Sequence, residues 1–203
     1  MIVYLKKTDT VCPDFQSRLF KLSQHRIEKT LSKKQEKDRL LSLVSGELID
    51  FGLKEYGLKE ADMEYTVSHH GKPEFLNHPH IHFNISHSQA FAVCVFSDAE
   101  IGVDIEKIDN TKDIEKLMNR YYSDNERKFV LNSENPHNAF FMLWTRKESY
   151  LKAKGTGISV GLKDTDVVEE EKDGFYFNSI IYAGMYITVC SKECEALELK
   201  VIE

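Results

Sequence analysis

Ile101-Gly102-Val103-Asp104-Ile105-Glu106 orders the rest of the chain around itself. Apolar side chains at 101, 103 and 105 alternate with Asp104 and Glu106, a period of two that predicts a strand with one buried face and two carboxylates leaving the other. Upstream, Ile81 to Ile85 and Phe91 to Phe96 predict two strands joined by the polar turn Ser86-His87-Ser88-Gln89. Earlier still, Ile2 to Leu5 reads as a strand and Lys37 to Leu53 as a helix with an apolar face ending near Gly52 and Gly57. Met63 to Val67 is a short strand, and Gly71-Lys72-Pro73 a turn. Downstream, helices are expected over Asp113 to Tyr121, from Ser123 with Glu126 as its capping-box partner, and over His137 to Lys154 with Gly155 as its stop. Strands follow at Phe175 to Tyr182, Met185 to Cys190 and Leu197 to Ile202. The pattern is α+β, with two similar halves, 1–99 and 100–203, and no residue-level repeat between them.

The chain has 203 residues, 41% hydrophobic and 30% charged, enough for one good-sized core or two small intimate ones. The short apolar start is followed at once by lysines, and no run of about 18 apolar residues occurs, so a cytoplasmic protein without a signal peptide or membrane span is expected. Cys12, Cys94, Cys190 and Cys194 lack CxxC spacing and read as reduced thiols. The net charge of -6 argues against nucleic acid as a partner. Within that acidic chain, Arg18 to Arg39 carries a net +5, either a solvated helical face or a surface for a highly phosphorylated anion.

Asp104 and Glu106 repel one another if both are ionised, and such pairs often hold a cation between them. Magnesium suits oxygen ligands and shared phosphates, although manganese accepts the same donors. On the pair alone, a solvated outer face is an equally good reading. In the predicted helix Trp144-Thr145-Arg146-Lys147-Glu148-Ser149-Tyr150-Leu151-Lys152, Glu148 and Lys152 stand at i and i+4. Spacing alone favours an exposed ion pair worth about 0.3–0.5 kcal/mol. Ser86, His87 and Ser88 could offer hydroxyls and an imidazole to an anion. The alternating His78, His80 and His82 lack the context of a zinc site.

Gly71-Lys72-Pro73, His82 to Ser88, Gly102 to Glu106 and Trp144 to Lys152, in that order and separation, resemble the Sfp-type 4′-phosphopantetheinyl transferases. The resemblance runs from about residue 20 onward. It implies a fold of two pseudo-symmetric α+β halves, each a small antiparallel sheet with helices, and a cleft between them for coenzyme A. It implies transfer of the phosphopantetheine arm to a serine of an apo acyl or peptidyl carrier protein, releasing adenosine 3′,5′-bisphosphate. By position, Asp104, Glu106 and Glu148 match the family's magnesium ligands, Glu148 and Lys152 its catalytic pair, and Lys72, Ser86 and His87 its coenzyme contacts; Arg26, Lys29 and Arg39 match further anion contacts across a gap. The stripe Ile114, Leu117, Met118 and Tyr121, usually core by its spacing, is expected to contribute to carrier docking beside Lys116 and Arg120. A monomer serving nonribosomal peptide or polyketide carriers is the expectation by analogy. Two rivals stand beside it: a paralogue that binds coenzyme A or carrier without transfer, and a magnesium-dependent phosphohydrolase or nuclease.

Overall fold

Val3 and Leu5 are fully buried on one side of the first strand and Tyr4 on the other, so this strand is covered on both faces. The computed structural model describes residues 1–8, 12–157 and 161–203. Strand β1 (Ile2–Lys7) leads into helices α1 (Phe15–Leu19), α2 (Gln24–Leu31) and α3 (Glu36–Leu53). Then come β2 (Tyr65–Val67), β3 (Pro73–Phe75) and the hairpin β4 (His82–Ser88) and β5 (Phe91–Ser97). The plan repeats. Strand β6 (Ile101–Lys107) leads into α4 (Ile114–Tyr121), α5 (Asp124–Leu131) and α6 (Pro136–Lys154), followed by β7 (Glu171–Lys172), the hairpin β8 (Phe175–Tyr182) and β9 (Met185–Ser191), and finally β10 (Glu198–Ile202).

In each half the second hairpin strand returns antiparallel to the leading strand, β5 to β1 and β9 to β6. The sheet orders are β10-β1-β5-β4 and β6-β9-β8-β7, so the expected α+β class and pseudo-symmetry are present in the topology. One pairing differs from the antiparallel expectation: β10 runs parallel to β1, with Val3 opposite Leu199 and Leu5 opposite Val201. Residues 198–202 therefore complete the sheet that residues 2–7 begin.

Val3, Leu5, Val93 and Val95 from the first sheet meet Val103, Ile105, Ile187 and Val189 from the second in one buried cluster. Helix α3 covers the other side of the first sheet, with Leu48 and Ile49 against Tyr4 and Cys94. Helix α6 covers the second, with Phe140 and Leu151 against Phe177 and Cys190. Local signals hold at the helix ends: Asp113 caps α4, Ser123 and Glu126 form the capping box of α5, and Gly155 ends α6 at φ 65°. All four cysteines are free, and among the described residues no helix is long and apolar enough to cross a membrane.

Two expectations are corrected. Ser86, His87 and Ser88 are not a turn but the end of β4, and the chain reverses at Gln89, whose φ is 56°. The strand continues because its ladder with β5 runs on to Ser88 opposite Phe91, and Ser86 and Ser88, on one face, also find hydrogen-bond partners on β6. Of the stripe on α4, Ile114 and Met118 are buried in the α6 core and cannot meet a carrier, while Leu117 and Tyr121 are half-buried against it. Lys116 and Arg120 remain exposed.

Candidate active site

Strand β6 is an edge strand, and its free backbone groups need partners. They find them in side chains from three separate motifs. Asn84 Oδ1 accepts the Val103 N–H at 2.9 Å, Lys72 Nζ donates to the Ile101 carbonyl at 3.1 Å, and Lys152 Nζ donates to the Val103 carbonyl at 3.2 Å. The closed edge is what brings these motifs together.

Helix α6 crosses β6 at Gly102. A Cβ there would lie 2.0 Å from the Ser149 carbonyl oxygen and 2.5 Å from the Ala153 nitrogen, so only glycine admits the helix this close. The contact sets Glu148 and Lys152, one turn apart, beside Asp104 and Glu106. An exposed Glu148–Lys152 pair does not form. Lys152 Nζ instead donates to Asp104 Oδ1 at 2.7 Å and Ser86 Oγ at 2.9 Å, and Ser86 donates to the same Asp104 oxygen at 2.8 Å. Ser88 Oγ donates to Glu106 at 3.2 Å. Nor is the carboxylate face of β6 open to solvent: Asp104 is 4% exposed and Glu106 half-buried, with Glu148 of α6 buried beside them.

This crowding acts on the carboxyls. Burial, then the neighbouring Asp104 charge, pushes Glu148 up to about 7. Burial followed by Asp104 also raises Glu106, against the opposing bond from Ser88. Asp104 Oδ2 is buried without a hydrogen-bond partner. Among the described residues no three histidine, cysteine, aspartate or glutamate side chains are drawn together as a metal cluster, the histidines at 78, 80 and 82 included. Even so, three hard oxygen donors, an orphaned carboxylate oxygen and two carboxyls held above their usual range fit a hard divalent cation.

The carboxylates and Lys152 line a cleft of about 630 Å³ together with Arg26, Lys29, Lys33 and His87. Burial lowers the Lys29 ammonium, and the Arg26 and Lys33 charges lower it further, an environment in which an anion would be welcome. Arg26 is 1% exposed; it donates to the Ser42 carbonyl at 2.6 Å and keeps a buried, unpartnered Nε. Arg39 does not line the cleft. It donates to the Lys33 carbonyl at 2.8 Å, and Lys33, which the sequence reading passed over, lines the cleft instead. Lys72 stands in an adjoining hollow of about 210 Å³ that shares Ile85 and Lys152 with the cleft, and it also donates to the Ala153 carbonyl at 3.2 Å. A third cavity, about 760 Å³, shares Trp144 and Glu148 with the cleft and is lined by Arg120, Tyr121, Leu162 and Lys163. Glu148 thus lines both cavities.

The 4′-phosphopantetheinyl transferase superfamily model matches residues 100–194, from the carboxylate strand through α6 to the last hairpin. Over these residues the chain is similar to that superfamily. It is 36% identical over 124 residues to the 4′-phosphopantetheinyl transferase Sfp of Bacillus subtilis, covering 60% of this chain and 54% of that protein. It is 34% identical over 109 residues to the 4′-phosphopantetheinyl transferase HetI of a Nostoc species, covering 51% and 46%. To the L-aminoadipate-semialdehyde dehydrogenase-phosphopantetheinyl transferase of Saccharomyces cerevisiae it is 30% identical over 154 residues, covering 71% and 56%. The chain spans about half the length of the curated relatives it matches. The matched superfamily segment contains Asp104, Glu106, Glu148 and Lys152, whereas Arg26, Lys29, Lys72, Ser86 and His87 lie before it.

Proposed function

We propose that this protein is a cytoplasmic 4′-phosphopantetheinyl transferase that moves the phosphopantetheine arm of coenzyme A to a serine hydroxyl of an apo acyl or peptidyl carrier protein. The observation that carries this reading is Glu148 lining two cavities, one with acidic and basic residues that suit a phosphorylated cofactor and one open to an acceptor. The superfamily match over residues 100–194 and the printed names of the relatives support the same activity.

Asp104, Glu106 and Glu148 would hold magnesium, which when bound neutralises negative charge on the pyrophosphate. The remaining work belongs to this chain's side chains, mainly through alignment and placed charge. Lys29, Lys33 and His87 bind the phosphates of the bisphosphate half. Glu148 takes the serine proton as the serine oxygen bonds to the β-phosphorus. The bond from that phosphorus to the bridging oxygen breaks, and the departing 3′,5′-bisphosphate carries away the electron pair, its charge met by Lys152. Lys72 is a positioning residue in this scheme, because its ammonium joins β6 to the end of α6.

Incubation with magnesium, coenzyme A and an apo carrier, followed by intact-mass measurement of the carrier, is expected to show one phosphopantetheine adduct. Lys152→Ala is expected to slow its formation by about a hundredfold or more and, because it strips the buried Asp104 of its cation, to lower the thermal midpoint while leaving the protein folded. A parent protein that modifies no nonribosomal-peptide, polyketide or fatty-acid carrier would overturn the proposal.

A further inference from the structure

Glu126 of α5 and Lys147 of α6 form an ion pair 2.7 Å apart in which neither side chain is exposed. Desolvation offsets most of the attraction in such a pair, so its presence is a poor explanation of stability. Its other contacts suggest a different role. Lys147 Nζ also donates to the Leu162 carbonyl at 2.6 Å and to the Thr165 carbonyl, and Glu126 accepts the Val167 N–H at 3.1 Å. Arg146, the preceding residue, donates to the carbonyls of Val167, Val168 and Glu169 at 2.8–3.3 Å. Residues 162–169 belong to no helix or sheet, so buried cations from α6 satisfy carbonyls that no ladder satisfies.

This segment lines the third cavity through Leu162 and Lys163, which share it with Tyr121, Trp144 and Glu148. Successive helix residues point roughly 100° apart, so one turn of α6 aims Glu148 into the chamber while Lys147 grips the segment that bounds it. We infer that the Glu126–Lys147 pair is a positioning device for the acceptor side: it holds residues 162–165 at a fixed distance from Glu148 and so sets which serine-bearing segment can enter. Neither residue lines the coenzyme cleft. The inference rests on the transferase reading for its substrate and on geometry alone for the anchoring.

The test pairs Glu126→Gln/Lys147→Met, which removes both buried charges together, with Glu126→Gln alone, which keeps the lysine contacts to the segment and nearly the parent volume. In the double variant, amide exchange at residues 162–169 is expected to quicken by about tenfold or more, with exchange in β6 and β9 unchanged. The KM for apo carrier is expected to rise by about tenfold while the KM for coenzyme A stays within about twofold. The single variant is expected to shift both readouts in the same directions by less, and it decides the matter if the double variant does not fold. Parent-like exchange at 162–169, or KM values for the two substrates that move together, would overturn the inference. A parent protein that transfers nothing would remove the acceptor role, while the exchange measurement would still report whether the pair anchors the segment.

Discussion

Glu148 is ionised at a cost, because it is buried beside Asp104, and that cost has a measurable sign. Its carboxyl rises from an ordinary 4.5 to about 7 in the folded protein, so on raising the pH the unfolded chain loses this proton first. The contribution to stability is intact below about 4.5 and is lost as the pH climbs toward 7. In chelator, urea unfolding is expected to show the parent losing up to about 3 kcal/mol more than Glu148→Gln between pH 5 and pH 8. Equal losses would mean that Glu148 is not held protonated. Added magnesium is expected to restore stability at pH 8 to the parent and much less to the variant. At this scale the sequence showed that Asp104 and Glu106 leave one strand face. It did not show that Lys152 turns from Glu148 to Asp104, a choice decided by the nearby strand.

Helix α6 owes its placement to a residue with no side chain. The Gly102 motif was legible, but its purpose was not, because the backbone that passes over it lies some fifty residues away in sequence. Gly102→Ala is expected to force α6 off β6, to cost about 1–3 kcal/mol of stability and to slow turnover by about tenfold or more even where the variant is fully folded. Parent-like stability and turnover together would show that the helix has room to spare, contrary to the 2.0 Å approach. Helix boundaries were legible because their signals are local: the capping box at Ser123 and the left-handed Gly155 each act within a turn. The end of β4 was misread as a turn for the opposite reason. Ser86 and Ser88 have turn-like composition, yet the ladder with β5 and their partners on β6 hold them extended. The α4 stripe gave its true direction by spacing, which favours core, and resemblance alone suggested docking.

Across the whole molecule, the two halves are joined by the shared cluster between their sheets and by side chains that close the edge of β6. Asn84 is the one that reaches a buried main-chain N–H, that of Val103. Asn84→Ala is expected to leave it unpaired and to lower unfolding free energy by about 1–3 kcal/mol in denaturant titration, with amide exchange in β6 quickened. No change in either would mean that the seam does not depend on this bond. The sequence by itself determined the strand that carries Asp104 and Glu106, the later helices with their caps, and the hairpins. Those follow from periodicity, caps and motif chemistry, which act over a few residues. Tertiary structure alone decided that β10 returns beside β1, that Lys33 rather than Arg39 lines the cleft, that Lys72 braces β6, and that Glu148 lines two cavities. Each depends on backbone groups distant in sequence finding hydrogen-bond partners and packing surfaces, and no local pattern records which partner wins.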